Sequence, residues 1–174
     1  MPSPKEQHEI AVARALLLTL GHNAQFVRHG LDGIEPDVIF SSDGLTLGIE
    51  IATAYYNEDD AKADWDLARG ISQFDSDSIA PLGPILIGPD KLIASAVQRE
   101  LDDKCSKTYS RTDLVWLCVY EHAALAEVSE TEDLITRLKI PNKHPFEKIY
   151  LGFYAPLGDG GGFRVYDLLE KISA

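Results

Sequence analysis

Asp37 and Glu50 are the two residues of this chain whose types and spacing most suggest chemistry. They bracket the stretch PDVIFSSDGLTLGIEIAT, residues 36–53, which reads as two apolar strands around an Asp43-Gly44 hairpin turn. With Asp43 and Gly44 at the centre of the turn, Ser42 faces Leu45, Phe40 faces Leu47, Ile39 faces Gly48 and Asp37 faces Glu50. Opposed residues of an antiparallel pair share a sheet face, with Cβ atoms ~5 Å apart. Two ionised carboxylates there repel by roughly 3 kcal/mol at an effective dielectric of about 20. Water, a shared proton or a bound cation relieves that repulsion. Leu45, Leu47, Ile49 and Ile51 fill one side of the second strand, whereas Thr46, Gly48, Glu50 and Ala52 fill the other and leave room for a ligand. Ligands that are all oxygen favour Mg²⁺, Mn²⁺ or Ca²⁺ over zinc. The structural alternative is a solvated or hydrogen-bonded pair, with Asp37 a turn residue after Pro36.

The elements around this hairpin follow from hydrophobic period and punctuation. Residues Pro4 to Leu20 predict a helix whose apolar face carries Ile10, Ala13, Leu16, Leu17 and Leu20, with Glu6 and Glu9 on its flanks and Gly21 as its stop. Ala24 to Arg28 predicts a short strand. A helix from about Asn57 to Gln73 would bury Trp65, Ala68 and Ile71 and line up Lys62, Asp66, Arg69 and Gln73 on another face. Residues 75–90 read as loop around a short apolar run, Ile85 to Ile87, and Asp90 to Lys104 predicts a further helix. Leu114 to Tyr120 is nearly all apolar, as a strand buried on both faces would be. Ser129 with Glu132 suggests a capping box opening a helix to about Leu138. Lys148 to Tyr154 and Phe163 to Tyr166 read as strands, and Asp167 to Ile172 as a short closing helix. This order predicts an α/β domain, a three-layer α/β/α arrangement around a central mixed sheet, with residues 1–174 as one domain.

Pro36-Asp37, then Glu50 on the following strand, after a helix that carries an acid, resembles the PD-(D/E)XK nuclease superfamily with its restriction-endonuclease-like core. The similarity covers the order of elements across about residues 4–120. It implies that Asp37 and Glu50 hold a catalytic Mg²⁺ or Mn²⁺, with Glu9, or Glu6 in its place, contributing from the first helix. It also implies nucleic acid as partner, DNA before RNA, through a local groove, and admits a homodimer. The family's lysine belongs two residues after the glutamate, where this chain has Ala52. Lys62 and Arg69 are the nearest cations in sequence on the next helix, and Gln73 could orient water or phosphate. For these three, an exposed polar helix face is the structural alternative.

Composition bounds the remaining choices. Lysine and arginine number 16 against 28 acids, a net charge of −12, which argues against broad nonspecific affinity for nucleic acid and leaves room for a local groove. Hydrophobic residues make up 45% of the chain, yet its most apolar run, Ala11 to Leu20, is too short for a membrane span and contains Arg14. MPSPKEQHEI lacks a leader pattern, and Cys105 and Cys118 lack metal or redox spacing, so a cytoplasmic protein is expected. The five histidines show no zinc spacing, and Gly158 to Gly162 precedes a strand where a phosphate loop would open a helix. Two functions fit: a metal-dependent nuclease, and a catalytically weak or inactive nuclease-fold protein that binds or regulates.

Overall fold

The computed structural model describes residues 2–55, 89–110, 112–121, 128–155 and 161–172, with the side chains of 89–92 and 128–130 left aside. The expected helix to Gln73, with Lys62, Arg69 and Gln73, and the apolar run Ile85 to Ile87 lie outside the described residues.

Helix α1 (Pro4–Thr19) begins where Ser3 and Glu6 close a reciprocal capping box, with Pro4 preset for the first turn. Glu9, Val12, Ala13, Leu16 and Leu17 form its buried face. Gly21, at φ +71°, turns the chain out of the helix. Strands β2 (Val38–Ser42) and β3 (Leu45–Ala54) form the expected hairpin, with Asp43 and Gly44 both at positive φ (51° and 82°), the twist that suits a two-residue turn. The register is the one the turn dictates: Ser42 pairs with Leu45, Phe40 with Leu47, Ile39 with Gly48 and Val38 with Ile49.

Strand β1 (Gln25–His29) adds antiparallel to the outer edge of β2, with a bulge between Phe26 and Arg28. On the inner side, β3 runs parallel to β4 (Leu114–Glu121) and β4 parallel to β5 (Lys148–Tyr154), which then pairs antiparallel with β6 (Phe163–Asp167). The result is a six-stranded mixed sheet whose spatial order equals its chain order. Parallel neighbours need long crossovers; α2 (Pro89–Cys105) lies in the first and α3 (Val128–Ile135) in the second. Helix α4 (Leu168–Ile172) follows β6, with the Asp167 carboxylate accepting from the amides of Leu169 and Glu170.

Alternating residues of the central strands go to two separate apolar clusters. Leu47, Ile49 and Ile51 pack with Trp116, Cys118 and the α1 residues Val12, Ala13, Leu16 and Leu17. Ala52, Ala54, Leu117 and Val119 pack with Val97 and Leu101 of α2, Leu134 of α3 and Leu168 of α4. This division explains the unbroken apolar run of β4. By the same alternation Glu50, two residues from Ala52, lies on the side of the sheet that α2 covers. Both cysteines are buried and free. No described helix is long and apolar enough to cross a membrane.

One expected helix start is corrected. Ser129 lies within α3 (Val128–Ile135) and not before its start. Glu132, the residue that would have reached back to complete the box, instead has its carboxylate 3.5 Å from the Tyr166 hydroxyl.

Candidate functional site

Two glycines seat the residues in front of Asp37. A Cβ on Gly30 would come within 1.8 Å of the Pro36 carbonyl oxygen, and one on Gly48 within 2.6 Å of Pro36 Cγ. Pro36 therefore fits only because both positions lack a side chain, and the Gly30 amide donates to the Asp37 carbonyl at 2.9 Å. Glu35 secures the same loop. Its carboxylate accepts from both terminal nitrogens of Arg28 (2.7 and 3.0 Å) and from the Leu31 amide (2.9 Å).

At the open end of the hairpin each acid accepts from a backbone amide on the opposite side of the pair. Asp37 Oδ2 accepts from the Ile51 amide at 2.9 Å, and the Asp37 amide donates to Glu50 Oε2 at 3.2 Å. Both side chains therefore stay at the same end of the same strand pair. Lys104, in the last turn of α2, closes over them with Nζ 2.6 Å from Glu50 Oε1. The two side chains are only 15% and 6% exposed, which makes this a buried pair. On the α1 side, Lys5 Nζ stands 3.3 Å from Glu9 Oε1. These groups line one cleft of about 730 Å³, together with His29, the loop of residues 30–35, and Lys107 to Tyr109.

Burial is the main reason that the carboxyls of Asp37, Glu50 and Glu9 all hold their protons more tightly than usual. Glu9 adds to the effect at Asp37, and Asp37 adds to it at Glu50. The Ile51 amide, Lys104 and Lys5 pull the other way at Asp37 without reversing the shift. For Lys104, burial works against the charge, but Glu50 and Asp37 outweigh it and push its pKa up, so the side chain remains an ammonium. Tyr109 is likewise pushed up, by burial and then by Glu50, and remains a phenol. Three carboxylates thus face two ammonium groups in a half-closed space, and the carboxylates are left short of positive charge.

That donor set suits a hard cation. Among the described residues no three His, Cys, Asp or Glu side chains form a ready cluster for a metal ion. The protein therefore offers a pair, Asp37 and Glu50, with Glu9 beside it in the cleft. Mg²⁺ and Mn²⁺ accept such a pair, since they retain several waters and take only one or two carboxylates.

Of the residues that the sequence singles out, Asp37, Glu50 and Glu9 come together in the cleft. Glu6 lines its rim but is committed to the helix cap. Lys62, Arg69 and Gln73 lie outside the described residues. Sequence reasoning missed Lys104, Tyr109 and Lys5. For Lys104 a signal exists: Val97, Leu101 and Lys104 follow spacings of four and three, which puts the lysine on the buried face of its helix. Comparison with protein families, with curated proteins and with solved structures finds no match.

Proposed function

We propose that the chain is a metal-dependent nuclease that hydrolyses phosphodiester bonds, in DNA before RNA, on a three-layer α/β/α core of the restriction-endonuclease-like kind. The observation that carries this reading is Lys104, whose Nζ lies 2.6 Å from Glu50 and whose helix packs over Ala52. Ala52 is 2% exposed within the apolar cluster of α2, so a lysine there would have no room, while α2 brings an ammonium to the same acid from above. The cation missing from the motif is in this way restored from another element.

In this reading Asp37 and Glu50 hold Mg²⁺ or Mn²⁺. When bound, the ion would supply Lewis acidity that lowers the pKa of a water and screens charge on the phosphate. Lys104 stays protonated, so it acts as a donor to a nonbridging phosphate oxygen, stabilising charge as the transition state develops. Glu9, with its raised affinity for protons, acts through a water on the α1 side of the cleft. The substrate enters by this local groove. The setting is cytoplasmic, and a homodimer is compatible with it. The second reading, a catalytically weak or inactive member of the fold that binds or regulates, is favoured by the net charge of −12 and by Ala52 in the lysine's place.

The test is cleavage of single- and double-stranded DNA and RNA with Mg²⁺ or Mn²⁺, comparing the wild type with Asp37→Asn, Glu50→Gln and Lys104→Met. The expected outcome is metal-dependent cleavage that drops by about 100-fold or more in each variant. Cleavage that survives all three substitutions, or a wild type inert on every substrate, would overturn the nuclease reading.

A further inference from the structure

Glu50 has two partners among its neighbours, and one of them stands where a cation would have to go. Its Oε2 is held by the Asp37 amide and its Oε1 by Lys104. A divalent ion and an ammonium cannot share Oε1, because two positive charges would then meet in a buried space. Loading of the proposed metal site must therefore send Lys104 away from Glu50, which is also the direction its role toward phosphate requires. Glu50 then needs another donor to keep its orientation.

Tyr109 is built for that task. Its hydroxyl is buried and stands within reach of the Glu50 carboxylate, yet closes no well-formed hydrogen bond. It lines the same cleft as Glu50, and Glu50 is the charge that acts on it most strongly. The ring is fixed against Phe146, with centroids 5.5 Å apart. The next residue is tied down by the Ser110 amide and hydroxyl, both on the Ile34 carbonyl at 2.9 and 3.3 Å. A buried phenol whose bond to its nearest acceptor is poorly formed is destabilising, so its retention at this point fits an acceptor that becomes fully available in another state of the site.

We infer that Tyr109 is a positioning residue, whose hydroxyl donates to the Glu50 carboxylate when Lys104 leaves it and so keeps Glu50 aimed at the cation. This rests on the metal-binding reading of Asp37 and Glu50. Tyr109 acts only as a donor and touches neither the substrate nor the reacting water.

The experiment is calorimetric titration of the full chain with Mn²⁺, for the wild type, Tyr109→Phe, Lys104→Met and the double variant, with thermal melts alongside. Removing the hydroxyl should weaken Mn²⁺ binding by roughly ten-fold or more, the scale of a hydrogen bond to a charged group. The loss should be smaller in the Lys104→Met background, where the hydroxyl can already donate to Glu50 before the ion arrives. Lys104→Met alone should bind Mn²⁺ more tightly than the wild type, since it removes the competitor. Mn²⁺ binding by Tyr109→Phe equal to the wild type, even with a lowered melting temperature, would overturn the inference and leave the metal site standing. A loss just as large in the Lys104→Met background would overturn the exchange of partners. A wild type that binds no Mn²⁺ would overturn both the inference and the metal site beneath it.

Discussion

Glu35 and Glu50 line the same cleft and are equally buried, each 4% exposed, yet their surroundings are opposite. Glu35 receives a two-pronged guanidinium and a backbone amide, with Arg28 as its matched counter-ion. Glu50 receives one ammonium and one long amide contact, and faces Asp37. A buried carboxylate that is fully matched holds architecture in place. One that is left short of positive charge, next to another acid, is a candidate for function, because a ligand can remove the cost that the fold tolerates.

The contrast can be broken from either side. The largest effect on stability is expected at the matched acid. Glu35→Ala strips partners from Arg28 and the Leu31 amide and should cost about 3 kcal/mol, at the lower edge for a broken buried pair because Arg28 is half open to water. Denaturant titration checks this; a loss under about 1 kcal/mol would remove the distinction between the two glutamates. Next in size is Gly48→Ala, whose new methyl group would meet the Pro36 ring and should cost about 1–3 kcal/mol, the range for overpacking. Its sharper signature is functional: by shifting Pro36 it should move Asp37 and weaken Mn²⁺ binding, read by calorimetry.

The smallest expected effect has the opposite sign. Asp37→Asn removes one of two repelling acids while an amide oxygen can still accept from Ile51, so the variant should gain about 1 kcal/mol, some 2–4 °C in melting temperature. It should also change the dependence on pH. The folded state holds protons on Asp37 and Glu50 more tightly than the unfolded chain does. In the window between the ordinary carboxylate pKa and the raised one the folded form thus binds more protons, and stability falls as pH rises. Glu6 and Asp113, whose carboxyls are held low by their hydrogen bonds to Ser3 and Thr46, act in the opposite sense at lower pH. Melts across that upper window should show a shallower decline for Asp37→Asn than for the wild type. An equal slope in both would mean that the acids are not electrostatically strained.

Local features of the chain were legible in advance, and distant ones were not. Asp43-Gly44 fixes the hairpin register because a two-residue turn leaves only one pairing, and Phe40 does pair with Leu47. The run Leu114 to Tyr120 announces a strand with both faces buried, which β4 is. The expected face of the first helix was right at Ala13, Leu16 and Leu17, though Val12 is more deeply buried than Ile10 because the stripe is slightly rotated. At the site, the acids were legible because one turn relates them. Lys104 was not, because its distance from Glu50 is set by how α2 lies across the sheet, which no short spacing encodes. Ser129 misled for a related reason: a capping pattern states a local option, and here Glu132 stands near Tyr166, a residue of a strand far along the chain.

The separation between Glu50 and Lys104 has a consequence for how the site is completed. A tight turn brings the acids together at little cost in chain entropy, whereas the ammonium is 54 residues downstream and reaches them only when α2 lies against the sheet. The charge pattern of the centre is therefore complete only where the crossover helix lies across the hairpin's strands, which ties the site to the packing of α2 as much as to the turn.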